Sequence, residues 1–354
     1  MAYPLPPTSK SAVKRAGEAI AAGAATTADF EKVDQWRASH GYVINTFQAW
    51  LKGHINKRDY YVEFAQRLKR RNTVVGKLRR VGPDGKPLIS NVSGMHDFAG
   101  CRMIFDNIQE LEDFRNYLHS SQVTRNVEHK LRHSDDPDKY NYIERPKATG
   151  YRGIHDVYRH YPRGNTRQQT KKPWDGLLVE IQYRTRAQHA WATAVEISDL
   201  LDGEQTKFEL EQSDRGKFFA LASEIIARQH EGIMRAFMDA SDGDLRASLQ
   251  EMERSLGILR RLELLKQFED EELLQKHNVL NIYRDDDGQP KLKVESFKTA
   301  APAIERASEL EASATSLNAV YVRSDNPKQL RSAYRNYFYD PIDFVKIIQD
   351  ESGL

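Results

Sequence analysis

Apolar residues along the chain change period several times, and each change predicts an element. From Asp29 to about Arg71, Val43, Phe47, Trp50, Leu51 and Ile55 recur at helical spacing, predicting two helices. The period then falls to two. In "GLLVEIQYRT" (176–185), Leu177, Val179, Ile181 and Tyr183 share one face, while Glu180, Gln182 and Arg184 share the other. "FAGCRMIFD" (98–106) and "GIHDVYRHY" (153–161) read as further strands. "NIQELEDFRNYLHS" and "RAQHAWATAVEISDLL" read as helices lying between and after them. Strands alternating with helices predict an α/β (α+β) sheet domain. Beyond Phe208 the pattern turns helical, with an apolar stripe in "FFALASEIIARQHEGIMRAFMDA". A long surface or coiled helix is predicted in "LRASLQEMERSLGILRRLELLKQFEDEELLQKH".

Punctuation divides the chain. Residues 1–28 are rich in Pro, Ala, Gly and Thr and are predicted to be a flexible N-terminus. Pro83-Asp84-Gly85 marks a loop, and "YRDDDGQPK" (283–291) a hairpin turn. Asp325-Asn326-Pro327 and Asp340-Pro341 each set a capping side chain before an early proline, predicting two short terminal helices. The predicted domains are 29–272 and 273–354, with no internal repeat.

Composition narrows the class. At 354 residues, with 39% hydrophobic residues and a mean hydropathy of −0.70, the chain can bury a core and reads as soluble. A single cysteine, Cys101, excludes an intrachain disulfide and fits a reducing compartment. "AIAAGAA" is too short and leucine-free for a secretory h-region. No run reaches the ~20 apolar residues of a membrane span. A cytoplasmic protein with no membrane partner is predicted.

The net charge of +2 hides an uneven distribution. "RLKRRNTVVGKLRR" (67–80) has seven basic residues and no acid, and residues 157–174 are again basic without an acid. Two such stretches on a near-neutral chain suit a polyanionic ligand, although solvated faces give the same pattern. Asp97 at the start of one strand and Glu180 within another could share Mg²⁺, a hard cation that keeps phosphate oxygens as ligands. Arg67, Lys69, Lys77 and Arg102 would neutralise phosphates. A carboxylate pair with a basic cluster describes phosphoryl or pyrophosphoryl transfer; ion pairs on a sheet rim would look alike. His96-Asp97 and His155-Asp156 lack the further ligands that a metal phosphohydrolase needs. His129 and His133 lack the glutamate of a zinc helix, and there is no Walker loop or GxGxxG.

"QRLKRRNTVVGKL", "MHDFAGCRMIF", "ATGYRGIHDVYR" and "VEIQYRTRAQHAWA", in that order, resemble the synthetase domain of the RelA/SpoT family, over roughly residues 40–230. The resemblance implies a nucleotidyltransferase-like fold with a mixed sheet flanked by helices. It implies Mg²⁺-dependent transfer of the β,γ-pyrophosphate of ATP to a ribose 3′-hydroxyl. By motif, Asp97 and Glu180 would hold Mg²⁺, and Glu180 would also activate the hydroxyl. Arg67, Lys69 and Lys77 would hold the ATP phosphates with help from Arg102, and arginines such as Arg79 would stack on the adenine. "TGYRGIH" is similar to the family's G-loop, in which Tyr151 would stack on the acceptor base and His155, Gln182 and Arg184 would line the acceptor pocket.

Two acceptors follow from the resemblance. The motifs look more like the toxic small synthetases that modify the 3′-terminal adenosine of tRNA than like those making alarmones from free GTP, GDP or adenosine nucleotides. The basic stretch 159–172 suits the phosphate contacts of a tRNA acceptor stem. Residues 318–349 resemble the antitoxin-like domain of fused toxin–antitoxin (CapRel-like) phage-defence synthetases, a zinc-finger relative whose cysteines are lacking here. Autoinhibition released by a phage protein, such as the major capsid protein, is implied. Tyr334 and Tyr337 share a face of a predicted helix and would act in that restraint, together with Tyr339. Deletion from residue 273 onward would then release the enzyme. A catalytically dead nucleic-acid-binding module is the contrasting expectation.

Overall fold

The computed structural model describes residues 3–7, 9–82, 84–89, 91–120, 129–161, 172–202, 213–234, 236–264, 276–284, 290–313, 315–323 and 341–353. Eight strands form one mixed sheet: β1 (Glu63–Leu68), β2 (Ala99–Phe105), β3 (Lys130–Leu131), β4 (Ile154–Arg159), β5 (Leu178–Thr185), β6 (His277–Arg284), β7 (Pro290–Phe297) and β8 (Ser316–Arg323). Their order is β3-β4-β5-β2-β1-β8-β6-β7, with β2 and β5 parallel and every other pair antiparallel. The mixed α/β class expected from the alternating patterns is the one observed.

Helices cover both faces. α1 (Lys10–Ala21), α2 (Thr27–Ile55), α3 (Arg71–Leu78) and α4 (Ile108–His119) add apolar residues to one core, where Val13, Phe47, Val74 and Phe114 meet Phe98, Met103 and Ile181. α5 (Arg186–Asp202), α6 (Asp214–Ile226), α7 (Asp242–Leu256) and α8 (Ile258–Leu264) build the other. There Trp191, Phe219, Leu249 and Leu259 meet Ala65, Ile104 and Val320. α9 (Ala300–Ala312) joins the first core through Ala303 and Ile304, and α10 (Ile342–Ser352) joins the second through Phe344 and Ile348.

Four expectations need correction. The stretch 29–71, predicted as two helices, is instead covered by one 29-residue helix that starts at Thr27 and by a strand after it. β1 is central and buried along nearly its whole length, so it lacks the alternation that marks a half-exposed strand. The N-terminal 28 residues are not loose throughout. Ser9 caps α1, whose Val13, Ala16 and Ile20 are buried, and a Cβ on Gly17 would collide with Val92 at 2.6 Å. The long helix predicted from residue 245 breaks at Gly257, a left-handed C-cap (φ +59°) that separates α7 from α8. The preceding stripe likewise ends at Gly232, so "MRAFMDA" does not continue α6.

The predicted boundary at residue 272 does not divide two sheets. β8 pairs with β1 (Gln66↔Arg323, Arg67↔Val322), so strands from the C-terminal region extend the sheet that carries the basic motif. α10 starts just after Pro341, which stands at its N-cap with no side-chain cap, and the predicted capping residue Asp340 lies outside the described residues. Tyr334, Tyr337, Tyr339 and Asp325-Asn326-Pro327 lie outside the described residues.

Candidate active site

The register of three strands opens a cleft. Arg67 on β1 lies opposite Gly100 on β2, and Gly100 lies opposite Glu180 on β5. With no side chain at Gly100, the floor between Arg67 and Glu180 stays open. One step along, Arg102 is level with Gln182. Asp97 precedes β2 in a turn, and all six of these residues line one cleft with Lys69 and Lys77.

Asp97 sits among cations. Its Oδ2 accepts from Lys69 Nζ at 2.5 Å and from Lys77 Nζ at 2.7 Å. Burial favours the neutral acid, but the two ammonium groups outweigh it and hold Asp97 well below the usual carboxylate range. Burial lowers Lys69 to about 8, with the Asp97 charge opposing that fall.

Glu180 is held by neutral and cationic partners. Gln182 Nε2 donates to its Oε2 at 2.7 Å, and His155 Nδ1 lies 3.1 Å from its Oε1. Burial works to raise the Glu180 carboxyl, yet His155 brings it down to about 2. On the far side of the imidazole, His155 Nε2 is 2.5 Å from the Tyr151 hydroxyl, to which Arg184 donates at 3.0 Å. Burial opposes the charge on His155, but Tyr151 and Glu180 raise it to about 9. Burial raises Tyr151, but Arg184 and His155 lower it to about 8. Tyr151, His155 and Glu180 therefore form a hydrogen-bonded chain running from the glycine turn into the cleft.

The turn itself is clamped. Gly150 has φ +86°, and a Cβ there would lie 2.9 Å from Ala220 Cα and 3.2 Å from Phe219 O on α6. Ser223 Oγ donates to Gly150 O at 2.5 Å, and buried Arg152 reaches Glu224 at 2.5 Å. Gly153 (φ +144°) lets Tyr183 O approach within 3.2 Å of where a Cβ would stand. Glycine is required by both the backbone conformation and the packing.

Most sequence-predicted residues converge here. Arg67, Lys69, Lys77, Asp97, Arg102, Glu180 and Gln182 line the cleft; Tyr151, His155 and Arg184 form the adjoining cluster. Arg79 does not line it: this residue is exposed at the end of α3, and Arg80 lines the cleft instead, with Arg70 and Thr73. Positions 70, 73, 77 and 80 recur at helical spacing, a signal that places Arg79 off this face. The second HD dipeptide is structural at its aspartate. Asp156 is buried between Arg115, at 3.1 Å, and His119, at 2.7 Å.

Among the described residues no cluster of three or more His, Cys, Asp or Glu side chains could hold a metal. Of the residues that line the cleft, Asp97 and Glu180 are the two that carry carboxylates. Two carboxylates suit Mg²⁺ that is completed by water and phosphate oxygens, so this donor set fits the ion. Among the described residues no helix is long and apolar enough to cross a membrane.

Comparison with the curated proteins gives no match. Among solved structures, the chain is similar to small alarmone synthetase 1 from Bacillus subtilis bound to its product pppGpp, with 22% identity and a TM-score of 0.40, covering 53% of this chain and 88% of that one. The same synthetase bound to AMPCPP gives 18% identity and a TM-score of 0.35, covering 63% of this chain and 94% of that one. Residues 66–198 match the family model described as the region found in RelA / SpoT proteins. That segment contains every lining residue of the cleft and the whole Tyr151–His155–Glu180 chain.

Proposed function

We propose that the chain transfers the β,γ-pyrophosphate of ATP to the 3′-hydroxyl of the terminal adenosine of tRNA. The observation that carries the reaction is the placement of Asp97 and Glu180 in the cleft that also presents Arg67, Lys69, Lys77 and Arg102. Asp97 and Glu180 would hold Mg²⁺ together with donor phosphate oxygens, and the ion would neutralise charge on the transferred group. Arg67, Lys69, Lys77 and Arg102 orient the triphosphate. Glu180, ionised at neutral pH, accepts the hydroxyl proton as the 3′-oxygen bonds to the β-phosphorus. The bond from the β-phosphorus to the bridging oxygen breaks, and AMP leaves. His155 holds the Glu180 carboxylate, and Tyr151 offers a face on which the acceptor base stacks.

A polymeric acceptor is favoured by charge beyond the cleft. β4 leads away from the Tyr151 turn for about 17 Å, at roughly 3.3 Å per residue, before reaching Arg159. At that end Arg159 pairs in register with Lys130. The basic stretch begins there, although residues 162–171 lie outside the described residues. A free nucleotide at Tyr151 would not reach this end, whereas an acceptor stem would. Incubating the protein with β-labelled or γ-labelled ATP and either tRNA or GTP/GDP tests the proposal. Label in tRNA is expected; label only in guanosine nucleotides makes the enzyme an alarmone synthetase, and label in neither overturns the transfer reaction.

We also propose that residues 273–354 restrain this activity until a phage protein, such as the major capsid protein, binds. The resemblance of residues 318–349 and the pairing of β8 with β1 support this reading. Growth and translation after induction, with and without capsid protein, test it. Arrest without any trigger would sink the restraint.

A further inference from the structure

Behind the lysine that holds Asp97 lies a buried ionic contact from the C-terminal region. Glu311, on α9, places Oε2 2.9 Å from Arg37 on α2, and both side chains are only 2% exposed. The same oxygen accepts from the Arg71 backbone N–H at 3.0 Å, in the first turn of α3. Such donors have no partner within the helix, so this carboxylate caps α3. Arg37 faces two ways. Its Nε donates to the Lys69 carbonyl at 2.5 Å, and its Nη1 donates to Ser308 of α9 at 3.1 Å. Lys69 also donates its own N–H to Phe98 O at 2.9 Å, next to Asp97.

We propose that Glu311 is a positioning residue for the donor-phosphate site, acting through Arg37 on Lys69 and through the Arg71 amide on α3. The backbone of Lys69 is fixed at both its N–H and its carbonyl, so the reach of its ammonium group is set by these anchors. α3 carries Lys77 and leads to Arg80, and the cap at its start fixes the face those residues present. Burial alone could be supplied by apolar groups. The carboxylate supplies one oxygen that accepts from a guanidinium and a backbone amide together, and its charge balances the buried Arg37. The C-terminal region therefore reaches the phosphate cradle through Glu311 and Ser308 of α9, in addition to the pairing of β8 with β1.

This inference rests on the reading of Lys69 as a ligand of the ATP phosphates. The test compares wild type, Glu311→Gln and Arg306→Ala for binding of a non-hydrolysable ATP analogue, and for KM and kcat with tRNA. Arg306, on the same helix, pairs with Glu295 at 2.8 Å on the protein surface and serves as a control. Glu311→Gln is expected to weaken analogue binding and raise the ATP KM about 3- to 30-fold, the scale of coupling through packed networks, with the tRNA KM unchanged. Adding Lys69→Met should then cost less than the sum of the single changes. Folded Glu311→Gln with wild-type analogue affinity overturns the inference. If that variant does not fold, Ser308→Ala, which removes one Arg37 contact, should shift analogue affinity in the same direction; no shift overturns it. Failure of wild type to bind the analogue sinks the reading of Lys69 instead.

Discussion

Lys69 and Asp97 share a 2.5 Å contact, and the oxygen Lys69 holds is the one Lys77 reaches at 2.7 Å. One carboxylate thus keeps two ammonium groups within a hydrogen bond of the same point, at the mouth of a cleft that also holds Glu180. The cations are assembled before any triphosphate arrives, so little reorganisation is needed on binding. Asp97→Asn should leave the lysines repelling each other. Weaker binding of the ATP analogue, partly restored by salt, is the expected result, read by titration at two ionic strengths.

Glu180→Gln keeps the shape but removes the charge and the basicity, and offers one acceptor oxygen to the two donors Gln182 and His155. Pyrophosphate transfer should fall about 10²- to 10⁴-fold, the usual share of general acid–base catalysis, with an unchanged circular dichroism spectrum. Wild-type turnover in the purified variant would show that Glu180 is not catalytic.

Tyr151→Ala removes a stacking face and the partner of both His155 and Arg184. Acceptor binding should weaken by about 1–3 kcal/mol while ATP-analogue affinity stays near wild type. Tyr151→Phe keeps the ring and should lose less. A variant that loses analogue binding but keeps acceptor affinity would reverse the roles assigned to the two ends of the cleft.

His155 gives stability a pH signature. Its folded value, about 9, lies above the ordinary 6.5, because Tyr151 and Glu180 together outweigh the cost of burial. A raised value means the stabilisation is complete below pH 6.5 and is lost as pH climbs through 9. The stability gap between wild type and His155→Asn should be on the order of 2–3 kcal/mol near pH 6 and shrink toward pH 9.5. Thermal unfolding across that range measures it; a gap that widens with pH would contradict the arrangement.

Deletion from residue 273 is a harsher change than the sequence alone implies. It strips β8 from β1 and removes the fully buried Phe344 and Ile348 from the second core. Phe344→Ala by itself should cost about 3–5 kcal/mol. The truncated chain is expected to be less soluble and to melt lower than the full chain, read by unfolding and by yield. A truncated chain as stable as the parent would favour two separate units.

How much of this was legible in the sequence depends on exposure. β5 is buried on one face and carries Glu180 and Gln182 on the other, so its alternation could be read directly. β1 is covered on both faces and shows no period. The four motifs placed Asp97, Glu180, Tyr151 and the lysines together. Helical spacing from Arg70 would have chosen Arg80 over Arg79. No local pattern could have joined Glu311 to Arg37, because two residues far apart in sequence meet only through the tertiary fold.

The pairing of β1 with β8 also sets a timetable for synthesis. β1 leaves the ribosome before its partner strand, which follows roughly 250 residues later, on the order of tens of seconds at 5–20 residues per second. Until then one edge of the strand bearing Arg67 waits without its neighbour, and the contact between Glu311 and Arg37 does not exist. The supports that α9 and β8 give to the elements around the cleft form only when the C-terminal region has emerged. The strand that bears Arg67 thus gains its second neighbour only long after the motifs of the cleft itself have been made.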